Sequence, residues 1–203
     1  MHTFSRFSLT ATLGALLLTG CTDPLLAEIR PEQTLPLTQQ TTLDAAGSGQ
    51  AGYYCRRVVC AGDDSENQAV RGLLEFDLSS APKNIPSDRI ASATLRLYQG
   101  QSDRTYAQLH SLLVEHIRVP DLLDFAAFDA PALETARNEA ASEGYLELDV
   151  TEALRGDLAL GRSSAQFRLR FDLPTNHDQQ SDLTLFSTAE DYAPQLILRL
   201  HEH

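Results

Sequence analysis

The side chains whose type and spacing could do chemistry occur as a few close pairs: Asp63-Asp64, Glu190-Asp191, Cys55 and Cys60, His110 and His116, Arg168 and Arg170. Two carboxylates about 5 to 10 Å apart are what glycoside hydrolysis requires. Adjacent acids in a loop are more simply solvated charges, and the two acidic pairs are read that way. His110 and His116 are an even number of residues apart on a predicted strand and share a face. Six residues along a strand span about 20 Å, too far for one metal ion, so both are read as surface or edge residues. Arg168 and Arg170 share a face, as do Arg96 and Tyr98 on another segment. A guanidinium beside a phenol ring could together meet an acidic sugar. The chain contains no G-x-S-x-G elbow, H-E-x-x-H or P-loop, and no catalytic residue is assigned.

The N-terminus carries a different kind of signal. One charged residue, Arg6, precedes an apolar run from Leu9 to Leu18, which is the layout of an export signal. A run of about ten residues is half of what a bilayer span needs, so cleavage is expected. Leu18-Thr19-Gly20-Cys21 resembles the lipobox of bacterial lipoproteins. That resemblance makes residues 1–20 the signal peptide and Cys21 the lipidated first residue of the mature chain. Thr22, in the position where the enterobacterial sorting pattern would have aspartate for inner-membrane retention, favours the outer membrane. With two or three acyl chains on one cysteine the anchor is nearly permanent. In the oxidising compartment that follows, Cys55 and Cys60 remain as an even pair. A disulfide is the economical reading, with a metal pair or two free thiols as alternatives. Zinc would want four ligands, and no Cys or His cluster is close in sequence.

The chain of 203 residues has 16 basic and 28 acidic residues, a net charge of −12. A basic surface for phosphates is lacking, which argues against nucleic acid as a partner. The single lysine, Lys83, provides no polybasic patch for lipid headgroups. Membrane attachment is therefore expected through the lipid anchor alone.

The elements that must hold these residues have period two. Leu74, Phe76 and Leu78 alternate with Glu75 and Asp77; Ala93, Leu95 and Leu97 alternate with Thr94, Arg96 and Tyr98. The pattern returns in Leu146–Val150, Phe167–Phe171, Leu183–Leu185 and Leu196–Leu200. Half-buried antiparallel strands with turns between them predict an all-β fold, a jelly-roll-like β-sandwich. One short helix is expected after Val150, capped by Thr151 and stopped by Gly156, and a second in 121–128 after Pro120. Residues 21–36, with Pro24, Pro31 and Pro36, read as a tether, and 37–203 as the folded domain. Residues 129–144 read as a long exposed connection or an alanine-rich helix over 133–141.

Three segments in order resemble the DNRLRE-type domain, a jelly-roll-like sandwich of secreted prokaryotic proteins related to alginate-binding carbohydrate-binding modules. They are Arg71-Gly72-Leu73-Leu74-Glu75-Phe76-Asp77-Leu78-Ser79 with Ile90–Tyr98, then Asp149-Val150-Thr151, then Phe186–Glu190 with Pro194–Leu198. The resemblance implies a non-catalytic binding or scaffolding module, for polysaccharide or an envelope component, without a cofactor. A structural calcium ion is the one addition it suggests, with Asp77, Asp149, Asp172 and Glu190 as candidates near strand ends. The alternative is an envelope enzyme, a lyase or hydrolase of acidic glycans. Where that family commonly carries tryptophan, this chain has none. Stacking on sugar rings would fall to Tyr53, Tyr54, Tyr98, Tyr106, Tyr145 or Tyr192, with Tyr98, Arg96, Arg168 and Arg170 as the expected ligand contacts.

Overall fold

Alternation of apolar and polar residues puts one side of each strand indoors, and the strands observed are those that this pattern marks, with five more. The computed structural model describes residues 32–46, 55, 58–82 and 85–201. Eleven strands are found there: β1 (Glu32–Leu35), β2 (Leu37–Asp44), β3 (Val59–Asp63), β4 (Ala69–Asp77), β5 (Ile90–Gln99), β6 (Leu112–Ile117), β7 (Glu134–Asn138), β8 (Gly144–Asp149), β9 (Ser164–Phe171), β10 (Asp182–Phe186) and β11 (Gln195–Leu200). Three short helices join them, α1 (Asp103–Leu109), α2 (Ala126–Asp129) and α3 (Thr151–Ala159).

Every strand pairing is antiparallel. One layer runs β2–β4–β9–β6–β7 and the other β1–β11–β5–β8, while β3 and β10 pair with each other and link β4 to β5. Between the layers lies one apolar core, with Leu74, Phe76, Phe167 and Leu169 from the first and Leu95, Leu97, Leu196 and Leu198 from the second. Phe76 and Phe167 meet edge-to-face at 6.1 Å. The architecture is an all-β sandwich.

A second, smaller apolar cluster sits on the outside of the first layer. Leu43, Leu73 and Ile117 point away from the main core and are covered by Val119, Leu122, Ala127, Phe128 and Ala130. The segment between β6 and β7 is thus a strap packed onto the sheet, and α2 is its one helical turn. The expected helix over 121–128 is confined to Ala126–Asp129.

Four further expectations are corrected. The tether does not extend to Pro36, because Glu32–Leu35 pair with β11 from Glu32↔Arg199 to Leu35↔Leu196. Residues 134–138 form an edge strand on β6 rather than an exposed connection or helix: pairing with β6 outweighs the helical preference of an alanine-rich run. Helix α3 continues through Gly156 to Ala159, since Leu154 and Asp157 on its inner side are buried; Gly161, at φ +65°, follows it. Its first turn is held by Asp149, whose carboxylate accepts from the Thr151 N–H at 2.9 Å and from the Thr151 hydroxyl, leaving the Thr151 oxygen to accept from the Ala93 N–H at 2.9 Å. Finally, His110 is not on a strand: it closes α1 at φ +68°.

Cys55 and Cys60 are joined, with their Cα atoms 5.8 Å apart. Residues 1–20 and Cys21, and with them the export and lipidation readings, lie outside the described residues. Among the described residues no helix is long and apolar enough to cross a membrane.

Candidate functional site

On β5 the outward positions are Thr94, Arg96 and Tyr98, because Ala93, Leu95 and Leu97 are committed to the core. The register with β8 sets Thr94 opposite Asp149, Arg96 opposite Glu147 and Tyr98 opposite Tyr145. Directly opposed residues have Cβ atoms about 5 Å apart, so the two tyrosines must touch. Tyr192 joins them from a short 3₁₀ turn, Glu190–Tyr192, that enters β11. The Tyr98 ring lies 5.2 Å from Tyr145 at 87° and 4.5 Å from Tyr192 at 53°; Tyr145 and Tyr192 are 6.2 Å apart.

These separations leave no room for a ligand between the rings. What the cluster offers is its outer surface, with Tyr145 52% and Tyr192 43% exposed and Tyr98 half-buried beneath them. An exposed aromatic face with a hydroxyl at its edge is suited to a partner that is apolar on one side and polar at its rim. The hydroxyls are already oriented. Tyr98 donates to Glu143 Oε1 at 3.1 Å and Tyr145 donates to the Asp191 carbonyl at 3.1 Å. The bond to Glu143 raises the Tyr98 pKa above its ordinary value.

Arg96 stands beside this cluster, its guanidinium carbon 5.7 Å from the Tyr145 ring centre. Its Nε and a terminal nitrogen both donate to Glu147 Oε1, at 2.9 and 2.6 Å. The charge expected to meet an acidic sugar is therefore engaged by a neighbour on β8.

Arg168 and Arg170 do share the outer face of β9, but the expectation that both reach solvent is corrected for Arg168, while Arg170 is half-buried. Arg168 is 4% exposed. Its Nε donates to Glu115 Oε2 at 2.7 Å, and another nitrogen donates to the carbonyls of Ala127 and Phe128 at 3.2 and 2.7 Å. Arg170 Nε donates to the other Glu115 oxygen at 2.8 Å. Arg71, from β4, donates to the Phe128 carbonyl and to Asp129, its guanidinium 3.9 Å above the Phe128 ring. Burial and the nearby Arg168 lower the Arg71 pKa. Arg71 and Arg168 thus hold the strap to the sheet, Arg170 shares Glu115 with Arg168, and neither Arg168 nor Arg170 is part of the tyrosine face.

The remaining candidates are dispersed. His116 is buried and bonds Asp157 Oδ2 of α3 at 2.8 Å, with Arg118 and Arg162 at 3.6 and 3.2 Å from the other carboxylate oxygen; it is an anchor for the helix rather than a surface residue. Of the acidic pairs, Asp63 is buried on β3 whereas Asp64 orders a turn by accepting from the Glu66 and Gln68 N–H groups at 2.9 Å. Glu190 and Asp191 are exposed in the 3₁₀ turn. The calcium candidates do not converge: Asp77 accepts from Ser79, Asp149 from Thr151 and Asp172 from Arg137. Among the described residues no group of three or more His, Cys, Asp or Glu is placed to hold a metal ion. Tyr106 is buried against Phe171, and Tyr53 and Tyr54 lie outside the described residues.

No family model and no curated protein aligns with the chain. The functional reading therefore rests on the tyrosine face and its surroundings. Tyr98 and Arg96 were legible as outward residues; Tyr145 and Tyr192 were named only among six tyrosines able to stack on a sugar, and their meeting with Tyr98 was not. The alternation of Tyr145 with Leu146 and Leu148 was the one signal available.

Proposed function

We propose that this chain is a lipid-anchored protein of the bacterial cell envelope, carried on the outer membrane through Cys21, and that its sandwich is a non-catalytic module that binds polysaccharide. The observation that carries the binding reading is the cluster of Tyr98, Tyr145 and Tyr192 on the outer face of β5 and β8. Burying apolar side chains stabilises a fold, and leaving two large rings about half exposed forgoes that contribution. Such a patch marks a place where something else is covered. The C–H face of a pyranose ring fits against a phenol ring, and the sugar hydroxyls at its rim can bond the oriented phenol oxygens and the carboxylates beside them.

The enzyme reading, a lyase or hydrolase of acidic glycans, would draw on Arg168 and Arg170 as charge neutralisers. Both are engaged by Glu115, and so the binding reading is preferred. The test is affinity electrophoresis of wild type and Tyr145→Ala/Tyr192→Ala through gels containing neutral, cationic or anionic polysaccharides. Retardation of the wild type by at least one polymer, lost in the double variant, is expected. Equal mobility of the two proteins in every gel would overturn the assignment.

A further inference from the structure

The face around the three tyrosines has a definite charge, and that charge constrains its ligand. Glu143 and Glu147 are exposed at its edge, and Glu190 and Asp191 stand in the same turn as Tyr192. The nearby cations are both engaged: Arg96 spends both of its described hydrogen bonds on one oxygen of Glu147, and Arg199 on β11 donates to Glu32 at 2.8 Å. The phenol hydrogens of Tyr98 and Tyr145 point to protein acceptors. Apart from the Tyr192 hydroxyl, what remains for a ligand is mainly acceptor: carboxylate oxygens and phenol lone pairs. A uronic acid, which carries acceptors and negative charge, would meet its own kind there. A protonated amine offers three donors and a positive charge, and ring faces attract cations through the quadrupole of the π-system.

From this complementarity we propose that the glycan bound at Tyr98, Tyr145 and Tyr192 is one of free amino sugars, protonated at the working pH, and not an acidic polymer. The inference rests on the reading of this face as a glycan site and adds the charge class. The sugar ring supplies the apolar surface that covers Tyr145 and Tyr192, and its ammonium group lies toward Glu143 and Glu147. Because these carboxylates are exposed, the attraction is screened by salt and acts more on selectivity than on total affinity.

The experiment is calorimetric titration of the full chain with three hexasaccharides of matched length: glucosamine, N-acetylglucosamine and a uronic acid. At about pH 5.5, where the amines are charged, the glucosamine hexamer should bind at least about tenfold more tightly than its acetylated form. The uronate hexamer should bind most weakly. Raising salt from about 50 to about 300 mM should shrink the preference, and so should raising the pH until the amines lose their protons. In Glu143→Gln/Glu147→Gln the ratio of the first two affinities should fall to within about threefold. Uronate binding as tight as glucosamine, or an undiminished ratio in the double variant, would overturn the proposal while leaving a glycan site in place. Displacement of the glucosamine hexamer by an equal charge of polylysine would also overturn it, because the sugar ring would then be irrelevant. Binding of none of the three sugars would remove the glycan reading itself.

Discussion

Replacing Glu115 by glutamine should be far more damaging than its outward position on a sheet suggests. The carboxylate is 3% exposed and divides its two oxygens between Arg168, itself buried, and Arg170, at 2.5 and 2.8 Å. Glutamine preserves the volume but turns an N–H₂ group toward one of the guanidiniums, so a donor faces a donor and the two arginines lose their shared counter-charge. Arg71, already held below the usual arginine range by burial and by Arg168, keeps Asp129 at 2.9 Å but faces an Arg168 that has lost its carboxylate. Breaking a buried ion pair by removing one partner costs about 3–5 kcal/mol. Out of a typical total of about 5–15 kcal/mol that is a large share. Urea unfolding followed by circular dichroism would measure it, with an unchanged m-value showing that only stability has moved. Arg168→Met and the double variant complete a cycle in which the double change should cost less than the sum of the two single ones by about 2 kcal/mol or more. A loss below about 1 kcal/mol for Glu115→Gln would refute the reasoning.

Other outcomes follow from the same structure. Tyr106 donates to Gln99 and accepts from Asn138, both at 2.7 Å, and burial pushes its pKa up to about 12. The folded state therefore favours the protonated phenol, and stability present below the unfolded value of about 10 should decline by about 2–3 kcal/mol as the pH rises toward 12. Tyr106→Phe should lose that part of the slope, and parallel stability curves for the two proteins would contradict it. Gly62 has φ +142°, and a Cβ there would lie 1.9 Å from the Asp182 carbonyl oxygen. Gly62→Ala should cost about 3 kcal/mol or more in urea unfolding, and a smaller change would mean that β3 and β10 can separate without penalty. Cys21→Ser should move the protein out of the membrane fraction after cell lysis, because the anchor rests on one sulfur; retention there would count against lipidation.

The sandwich was legible because its strands alternate. Leu95 and Leu97 against Arg96 and Tyr98, or Phe167, Leu169 and Phe171 against Arg168 and Arg170, declare which side is indoors by period alone. Sequence pattern does not show what else covers the outdoor side. Arg168 was read correctly as pointing away from the core and incorrectly as solvated, since the strap that buries it is anchored by Val119, Leu122 and Phe128, which follow no simple period. Strand β6 is buried on both faces for the same reason. The tyrosine face was half visible. Tyr98 and Tyr145 are each outward by alternation, but their contact depends on a register between strands far apart in sequence, which the hairpins do not set. Tyr192 arrives from a turn, where periodicity says nothing.

Selective ¹³C labelling of tyrosine rings gives the most direct view of the central claim, because the buried Tyr106 serves as an internal control for the exposed cluster. With the neutral, cationic and anionic hexasaccharides added in turn, the ring signals of Tyr145 and Tyr192 should shift in a saturable manner with at least one sugar, while that of Tyr106 stays in place. Saturable binding that leaves Tyr98, Tyr145 and Tyr192 unmoved would place the glycan elsewhere on the sandwich and contradict the account.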